Sequence, residues 1–175
     1  MMKIGLLSDT HGYVHPRIKH HFKEVDEIWH AGDIGSIEVL EELEQFKKVR
    51  AVYGNIDNHK IRAATKEHRR FVMEGVDVWI THIGGYPGRY APQIREYIYR
   101  NPPDLFICGH SHILKIMRDK RTGLLHMNPG ACGKSGFHKV KTLIRFEISR
   151  GQILNPEVIE LSDEKTFDVD GSDQK

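Results

Sequence analysis

Ile4-Gly5-Leu6-Leu7-Ser8-Asp9-Thr10-His11-Gly12 starts as an apolar run and breaks abruptly into a polar loop ending in glycine. The run Ile4 to Leu7 reads as a buried strand, since a short continuous apolar stretch bounded by turn residues suits a strand covered on both faces. Asp9 and His11 follow its C-terminal end. The same grammar recurs along the chain. Asp26 to His30 reads as a second strand followed by Ala31-Gly32-Asp33, and Lys48 to Tyr53 as a third followed by Gly54-Asn55-Ile56-Asp57. Val76 to Ile80 runs into Thr81-His82, and Leu105 to Cys108 into Gly109-His110-Ser111-His112. Open α/β sheets bind ligands just outside the carboxyl ends of their strands. Seven metal-capable residues, Asp9, His11, Asp33, Asn55, His82, His110 and His112, therefore stand where a folded sheet can gather them.

Between these strands the spacing turns helical. Pro16 to Val25 predicts a helix with proline in its first turn, and Ser36 is placed to cap a second whose Ile37, Val39, Leu40, Leu43 and Phe46 share a face. Pro92 opens a third, stopped by Asn101-Pro102-Pro103. Phe71-Val72-Met73 and Val76 to Ile80 flank Glu74-Gly75 as a hairpin. Leu114 to Arg118 with Leu124 to Met127, and Leu143 to Ile148 with Ile153 to Leu161, predict two more strand pairs. The class is α/β grading into β, in one domain over residues 1–161 with an acidic tail over 162–175.

Composition narrows the function. The 175 residues are 39% hydrophobic and 29% charged, ordinary for a globular chain. No apolar stretch nears the ~20 residues of a membrane span, and the first strand is too short for a secretory leader. Cys108 and Cys132 make no disulfide framework, so the expected location is cytoplasmic. The tail beyond Leu161 carries five acidic against two basic residues, a net of −3 that leaves the body at +5 within a total of +2. That excess suits a small anionic substrate and provides no dedicated nucleic-acid surface. Histidine is the outlier, with 12 copies.

Two divalent ions about 3.5–4 Å apart polarise a phosphoryl oxygen, hold an attacking hydroxide and stabilise the leaving oxygen. A carboxylate such as Asp33 can span both ions, while imidazoles and the Asn55 amide fill other positions without adding charge that would repel phosphate. Mixed His and Asp ligation favours Mn, Fe, Zn, Ni or Co over Mg.

In their order, Asp9-x-His11, Gly32-Asp33, Gly54-Asn55, His82 and Gly109-His110-x-His112 resemble the signature of the calcineurin-like metallophosphoesterases. Length and the segment Met127-Asn128-Pro129-Gly130 are similar to the small single-domain phosphodiesterase branch, which includes the retromer subunit of this fold. The resemblance covers about residues 2 to 160. It implies an αββα sandwich of two mixed β-sheets flanked by helices. It implies one metal on Asp9, His11, Asp33 and His112, and another on Asp33, Asn55, His82 and His110, with manganese first among the candidates. The implied activity is a phosphodiesterase using a metal-bridging hydroxide for in-line attack, with Asp9, Asp33, Asn55, His82 and His110 as its catalytic residues. A phosphomonoesterase and a non-catalytic binding scaffold are the alternatives. Larger relatives carry histidine after the Gly-Asn pair, where it helps protonate the leaving group; this chain has Ile56. Asp57, His59 and metal-bound water are then candidates for the acid, and Asp57 and His59 are also candidate substrate contacts.

The remaining histidines, His15, His20, His21, His30, His68, His126 and His138, read as surface or packing residues. Gly133-Lys134-Ser135 matches the end of a phosphate-binding P-loop, but Asn128 replaces its first glycine and a strand pattern follows, so that reading fails. In Gly84-Gly85-Tyr86-Pro87-Gly88-Arg89-Tyr90, Arg89 can pair with a phosphate and the tyrosines can stack on a base. The expected partner is a small, nucleotide-like phosphoester, and free edges of the closing hairpin allow a homo-oligomer.

Overall fold

The computed structural model describes residues 1–162, so the acidic tail predicted beyond Leu161 lies, Ser162 apart, outside the described residues. In chain order the elements are β1 (Met2–Leu7), α1 (Arg17–His21), β2 (Glu27–His30), α2 (Ile37–Phe46), β3 (Lys48–Ala51), α3 (His59–Ala64), β4 (His68–Met73) and β5 (Val76–Thr81). There follow β6 (Gly85–Tyr86), β7 (Arg89–Tyr90), α4 (Pro92–Arg100), β8 (Leu105–Ile107), β9 (Leu114–Arg118), β10 (Leu125–Pro129), β11 (Lys141–Ser149) and β12 (Gln152–Leu161).

Two five-stranded mixed sheets result, ordered β12-β11-β1-β2-β3 and β4-β5-β8-β10-β9, with β6 and β7 as a separate small hairpin. In the first sheet β1, β2 and β3 are parallel and β11 joins β1 antiparallel, pairing Met2 with Ile148 and Leu6 with Ile144. The second repeats this plan: β5, β8 and β10 are parallel, and the outer strands β4 and β9 are antiparallel to their neighbours.

Strand alternation divides the apolar side chains into three layers, because successive residues face opposite sides of a sheet. Ile4 and Leu6 point between the sheets with Trp29, Val78, Ile80, Ile107 and Phe146. Leu7 and Ile28 point outward against Ile18 of α1, Leu40 and Leu43 of α2, and Ile61 of α3. On the far side of the second sheet Phe106 and Trp79 pack on Ile94 and Ile98 of α4. The architecture is the αββα sandwich. Trp29 pins its middle: fully buried, it meets Phe71 and Phe146 edge-on at 5.2 and 5.6 Å while its indole N–H donates to Glu27. An aromatic of this kind stabilises by about 1.5–3 kcal/mol through burial alone.

The predicted strands and strand pairs all appear, with ends shifted by a few residues. The helix expected over Pro16 to Val25 is shorter, ending at His21. The chain has to feed β2 alongside β1, and the Asp26 amide already donates to Lys3 O at 2.8 Å, so residues 22–25 are spent on a turn that buries Phe22 and Val25. The third strand stops at Ala51, beyond which Val52 bridges to Lys66 and the Tyr53 amide donates to Lys66 O. Helix α3 was not legible in the periodicity. It has six residues, buries Ile61 alone, and depends on the Asn58 side chain, which accepts from the Lys60 and Ile61 amides. Among the described residues no helix is long and apolar enough to cross a membrane.

Candidate metal centre

All six parallel strands end at one edge, and the loops beyond them are laced together by backbone hydrogen bonds. Asp9 N–H donates to Gly32 O (2.9 Å) and His11 N–H to Asp33 O (3.0 Å), joining the loops after β1 and β2. Gly109 N–H donates to His82 O (3.0 Å), joining those after β5 and β8. Between the two sheets, Cys132 and Gly133 N–H donate to Ser8 and Asp9 O, both at 3.1 Å. The P-loop lookalike is therefore a tie between sheets. Cys132 is no nucleophile: it is buried, its thiol donates to Ser8 O, and burial pushes its pKa up to about 12.

Asp9, His11, Asp33, His110 and His112 all adopt left-handed backbone conformations, with φ between 46° and 68°. Asp and His occupy that region more readily than most side chains, so each residue supplies both the turn and the ligand atom. Such strain concentrates at sites whose surroundings over-determine it. Close approach fixes the neighbouring glycines. A Cβ at Gly54 would fall 2.0 Å from Asp33 Oδ1, and one at Gly109 would fall 2.1 Å from Ser8 Oγ.

The ligand atoms form two groups, Asp9 with His11 and His112, and Asp33 with His82 and His110. Asp33 faces both. Its Oδ2 lies 3.6 Å from His11 Nε2 and its Oδ1 3.2 Å from His82 Nε2. Asp9 Oδ1 lies 3.1 Å from His112 Nε2, 3.7 Å from His11 Nε2 and 4.0 Å from His82 Nε2. Yet Asp9 Oδ1, His11 Nε2 and His82 Nε2 are buried without a hydrogen-bond partner. Each such orphan costs about 1–3 kcal/mol, and several gathered within one cluster of carboxylates and imidazoles suit the chemistry of bound cations.

Surrounding groups orient these atoms as metal sites require. Ser8 Oγ–H donates to Asp9 Oδ2 at 2.6 Å and the His110 amide reaches the same oxygen at 3.2 Å, which leaves Oδ1 turned inward. His82 Nδ1 pairs with Ala31 O at 2.8 Å; a carbonyl only accepts, so the proton is on Nδ1 and Nε2 keeps its lone pair. The Ile56 amide donates to Asp33 Oδ1.

The charges describe a site that wants cations. Burial pushes the Asp9 carboxyl up, but His11, His112, His82 and Ser8 together hold it well below the usual carboxylate range. Burial likewise opposes, and His82 outweighs it, at Asp33, which is also lowered. His11 is raised chiefly by Asp9; His82 is raised despite its burial by Asp33 and Asp9. His110 is lowered by burial and by His82.

Asn55 lies beside His82, lining a cavity of about 200 Å³ with Tyr53, Arg62 and Ile83. Asp57, a candidate acid and substrate contact in the sequence, has another job. It is buried and accepts from the Ile34, Gly35 and Gly54 amides at 3.1, 2.8 and 2.8 Å, bracing the loops after β2 and β3. With both oxygens taken up by three amide donors, its carboxyl is committed to holding these loops together. His59 is the exposed first residue of α3, and Arg89 is exposed on β7. Sequence reasoning passed over Arg62. Its Nε donates to Asp57 O at 2.7 Å and its guanidinium lies over the Tyr53 ring, which holds a cation at the wall beside Asn55. The signal was Asn58 as a cap, which starts a helix that turns Arg62 back toward that loop.

Residues 2–151 match the sequence profile described as the calcineurin-like phosphoesterase superfamily domain. A probable metallophosphoesterase of Methanothermobacter thermautotrophicus is 32% identical over 137 residues, covering 74% of this chain and 77% of that protein. Among solved structures, an archaeal phosphodiesterase superposes with a TM-score of 0.72 at 23% identity, over 91% of this chain and 100% of the other. Zinc-bound Vps29 of Entamoeba histolytica superposes with a TM-score of 0.68 at 15% identity, over 91% and 99%. With the two ligand groups facing each other across Asp33 and the profile spanning nearly the whole described fold, the chain belongs to the calcineurin-like phosphoesterase superfamily.

Proposed function

We propose that the protein is a dinuclear metal-dependent phosphodiesterase, with manganese the first metal expected and nickel, zinc, iron or cobalt as substitutes. The observation that carries the diester reading is a pair of cavities flanking the ligand cluster. One, of about 200 Å³, lies beside His82 and Asn55; the other, of about 210 Å³, lies beside His110; Ile83 lines both. A diester has two organic groups on one phosphorus, and two clefts meeting at the cluster can seat one each.

Asp9, His11 and His112 would hold one ion and Asp33, His82 and His110 the other, with Asp33 also turned to the first group and Asn55, lining the same cavity as His82, completing the second. When bound, the ions supply charge to polarise the phosphoryl group and lower the pKa of water at neutral pH. The chain's residues do the positioning. Asp33 presents one oxygen to each ligand group, Ser8 and the His110 amide fix the rotation of Asp9, and Ala31 fixes the His82 tautomer. Arg62 brings a planar cation to the Asn55 cleft, suited to a phosphate oxygen. With Ile56 in the place of a histidine and the Asp57 carboxyl engaged by three backbone amides, no side chain is assigned as acid, so esters of acidic alcohols are the expected best substrates.

Protein stripped of metal and resupplied with Mn, Ni, Zn, Co or Mg is to be assayed on a bis-aryl phosphodiester and the matching monoester. Metal-restored hydrolysis favouring the diester is expected. A preference for the monoester would overturn the diester reading, and silence with every metal from a folded, two-ion protein would point to a scaffold.

A further inference from the structure

The cleft beside His110 has a feature that metal binding leaves unexplained. It is mostly apolar, walled by Ile83, Tyr86 and Ile113, and His126 lines it from β10. Strand pairing sets His126 opposite Phe106, on the sheet face covered by α4, and the two rings lie tilted at 5.6 Å. His126 is 1% exposed, and although its ring approaches the Phe106 backbone, neither ring nitrogen makes a well-formed hydrogen bond to the protein. Burial lowers its pKa to about 4, so the ring is neutral near pH 7, with one donor and one acceptor. Buried polar groups in folded proteins are normally paired, and an exception calls for an explanation.

The walls are fixed. Cys108 Sγ–H donates to Gly85 O at 3.2 Å, holding the β6–β7 hairpin against the sheet, and Lys115 Nζ lies 4.4 Å over the Tyr86 ring. At the rim Ser111 Oγ accepts from Asn128 Nδ2 and the Ile113 amide, which turns its hydroxyl hydrogen toward other acceptors. An alkyl group in this space would leave the imidazole unpaired, and a polyol would strand its hydroxyls against apolar walls. A flat ring with donor and acceptor atoms on its edge satisfies both.

We propose that this cleft binds the organic group of the phosphoester, and that the group is an uncharged, planar heteroaromatic ring of nucleobase type whose edge pairs with His126 beside the Tyr86 wall. The inference takes its phosphate chemistry from the diester reading; its test reads binding.

Calorimetry on zinc-loaded protein compares adenosine 5′-monophosphate with ribose 5-phosphate, which differ only in the ring. The wild type is expected to bind the nucleotide about tenfold more tightly, the worth of pairing a buried polar edge. His126→Phe, close in size beside Phe106, is expected to erase that preference while leaving ribose 5-phosphate affinity and zinc stoichiometry unchanged, and His126→Gln to restore part of it. The ¹⁵N resonances of the His126 ring are expected to move with the nucleotide and not with the sugar phosphate. Equal affinities in the wild type, or an undiminished preference in His126→Phe, would overturn the proposal and leave water as the partner of His126. Diester hydrolysis without ring preference defeats this inference alone. Ring preference without metal-restored diester hydrolysis defeats the diester reading alone.

Discussion

Replacing Gly109 by alanine tests whether loop packing, as distinct from the ligands themselves, sets the metal site. The new Cβ would lie 2.1 Å from Ser8 Oγ and 2.7 Å from Asp9 Oδ2. Ser8 can only escape by rotating, which breaks its 2.6 Å hydrogen bond to Asp9 Oδ2, so the carboxylate loses its main orienting donor. Overpacking a tight interior costs roughly 1–3 kcal/mol, and a buried hydrogen bond to a charged group about 1.5–3 kcal/mol. Gly109→Ala is therefore expected to destabilise the metal-free protein by about 2.5–6 kcal/mol and to weaken metal binding about 10–100-fold. Urea unfolding followed by the buried Trp29 and Trp79 measures the first, and metal titration the second. Ser8→Ala removes the nearer clashing atom and the hydrogen bond together. In that background Gly109→Ala is expected to add only about 1 kcal/mol, from the remaining squeeze on Asp9 Oδ2. Strict additivity of the two substitutions would refute the reasoning, because coupling between residues in contact is its premise.

Asp33→Asn is expected to lower turnover at least about a hundredfold and to weaken both ions, whereas His112→Ala should weaken one; loss of a single ion in each case would deny Asp33 its shared role. His110→Ala with wild-type turnover and correct folding would defeat the dinuclear mechanism. Arg62→Ala is expected to reduce kcat/KM for the diester about tenfold, the value of one charge-assisted hydrogen bond, and unchanged kinetics would remove Arg62 from phosphate contact. His126 has a folded pKa below its ordinary 6.5, at about 4, so the stability it contributes is complete above pH 6.5 and is lost as pH falls toward 4. Between pH 7.5 and 4 the metal-free wild type should thus lose on the order of 3 kcal/mol relative to His126→Phe, and parallel pH profiles would show that His126 is not buried neutral.

Much of the site was readable because its parts obey a local rule. Each of Asp9, Asp33, Asn55, His82 and His110 follows an apolar run, and parallel strands bring such ends to one edge. Asp57 misled for a physical reason: an aspartate two residues past Asn55 looks the same in sequence whether it faces substrate or accepts three amides, and only the folded loops after β2 and β3 supply those amides. Helix α3 and Arg62 were missed because six residues with one buried side chain carry too little periodicity to register. His126 read as a surface or packing residue; that it is buried, lines a cleft and lacks a well-formed hydrogen bond at either ring nitrogen is a property of the fold.

The sequence by itself determined the strands, the choice of Asp and His where left-handed turns also present candidate metal ligands, and the order in which those residues arrive. Periodicity and turn chemistry are local, acting over a handful of neighbours, so they survive in a string of letters. Tertiary structure decided which Asp9 oxygen turns inward, which His82 nitrogen is free, that Asp33 stands between the two groups, and that two clefts flank them. Those depend on contacts between residues far apart in sequence, up to 124 positions for Cys132 with Ser8, whose geometry exists only after both sheets have packed.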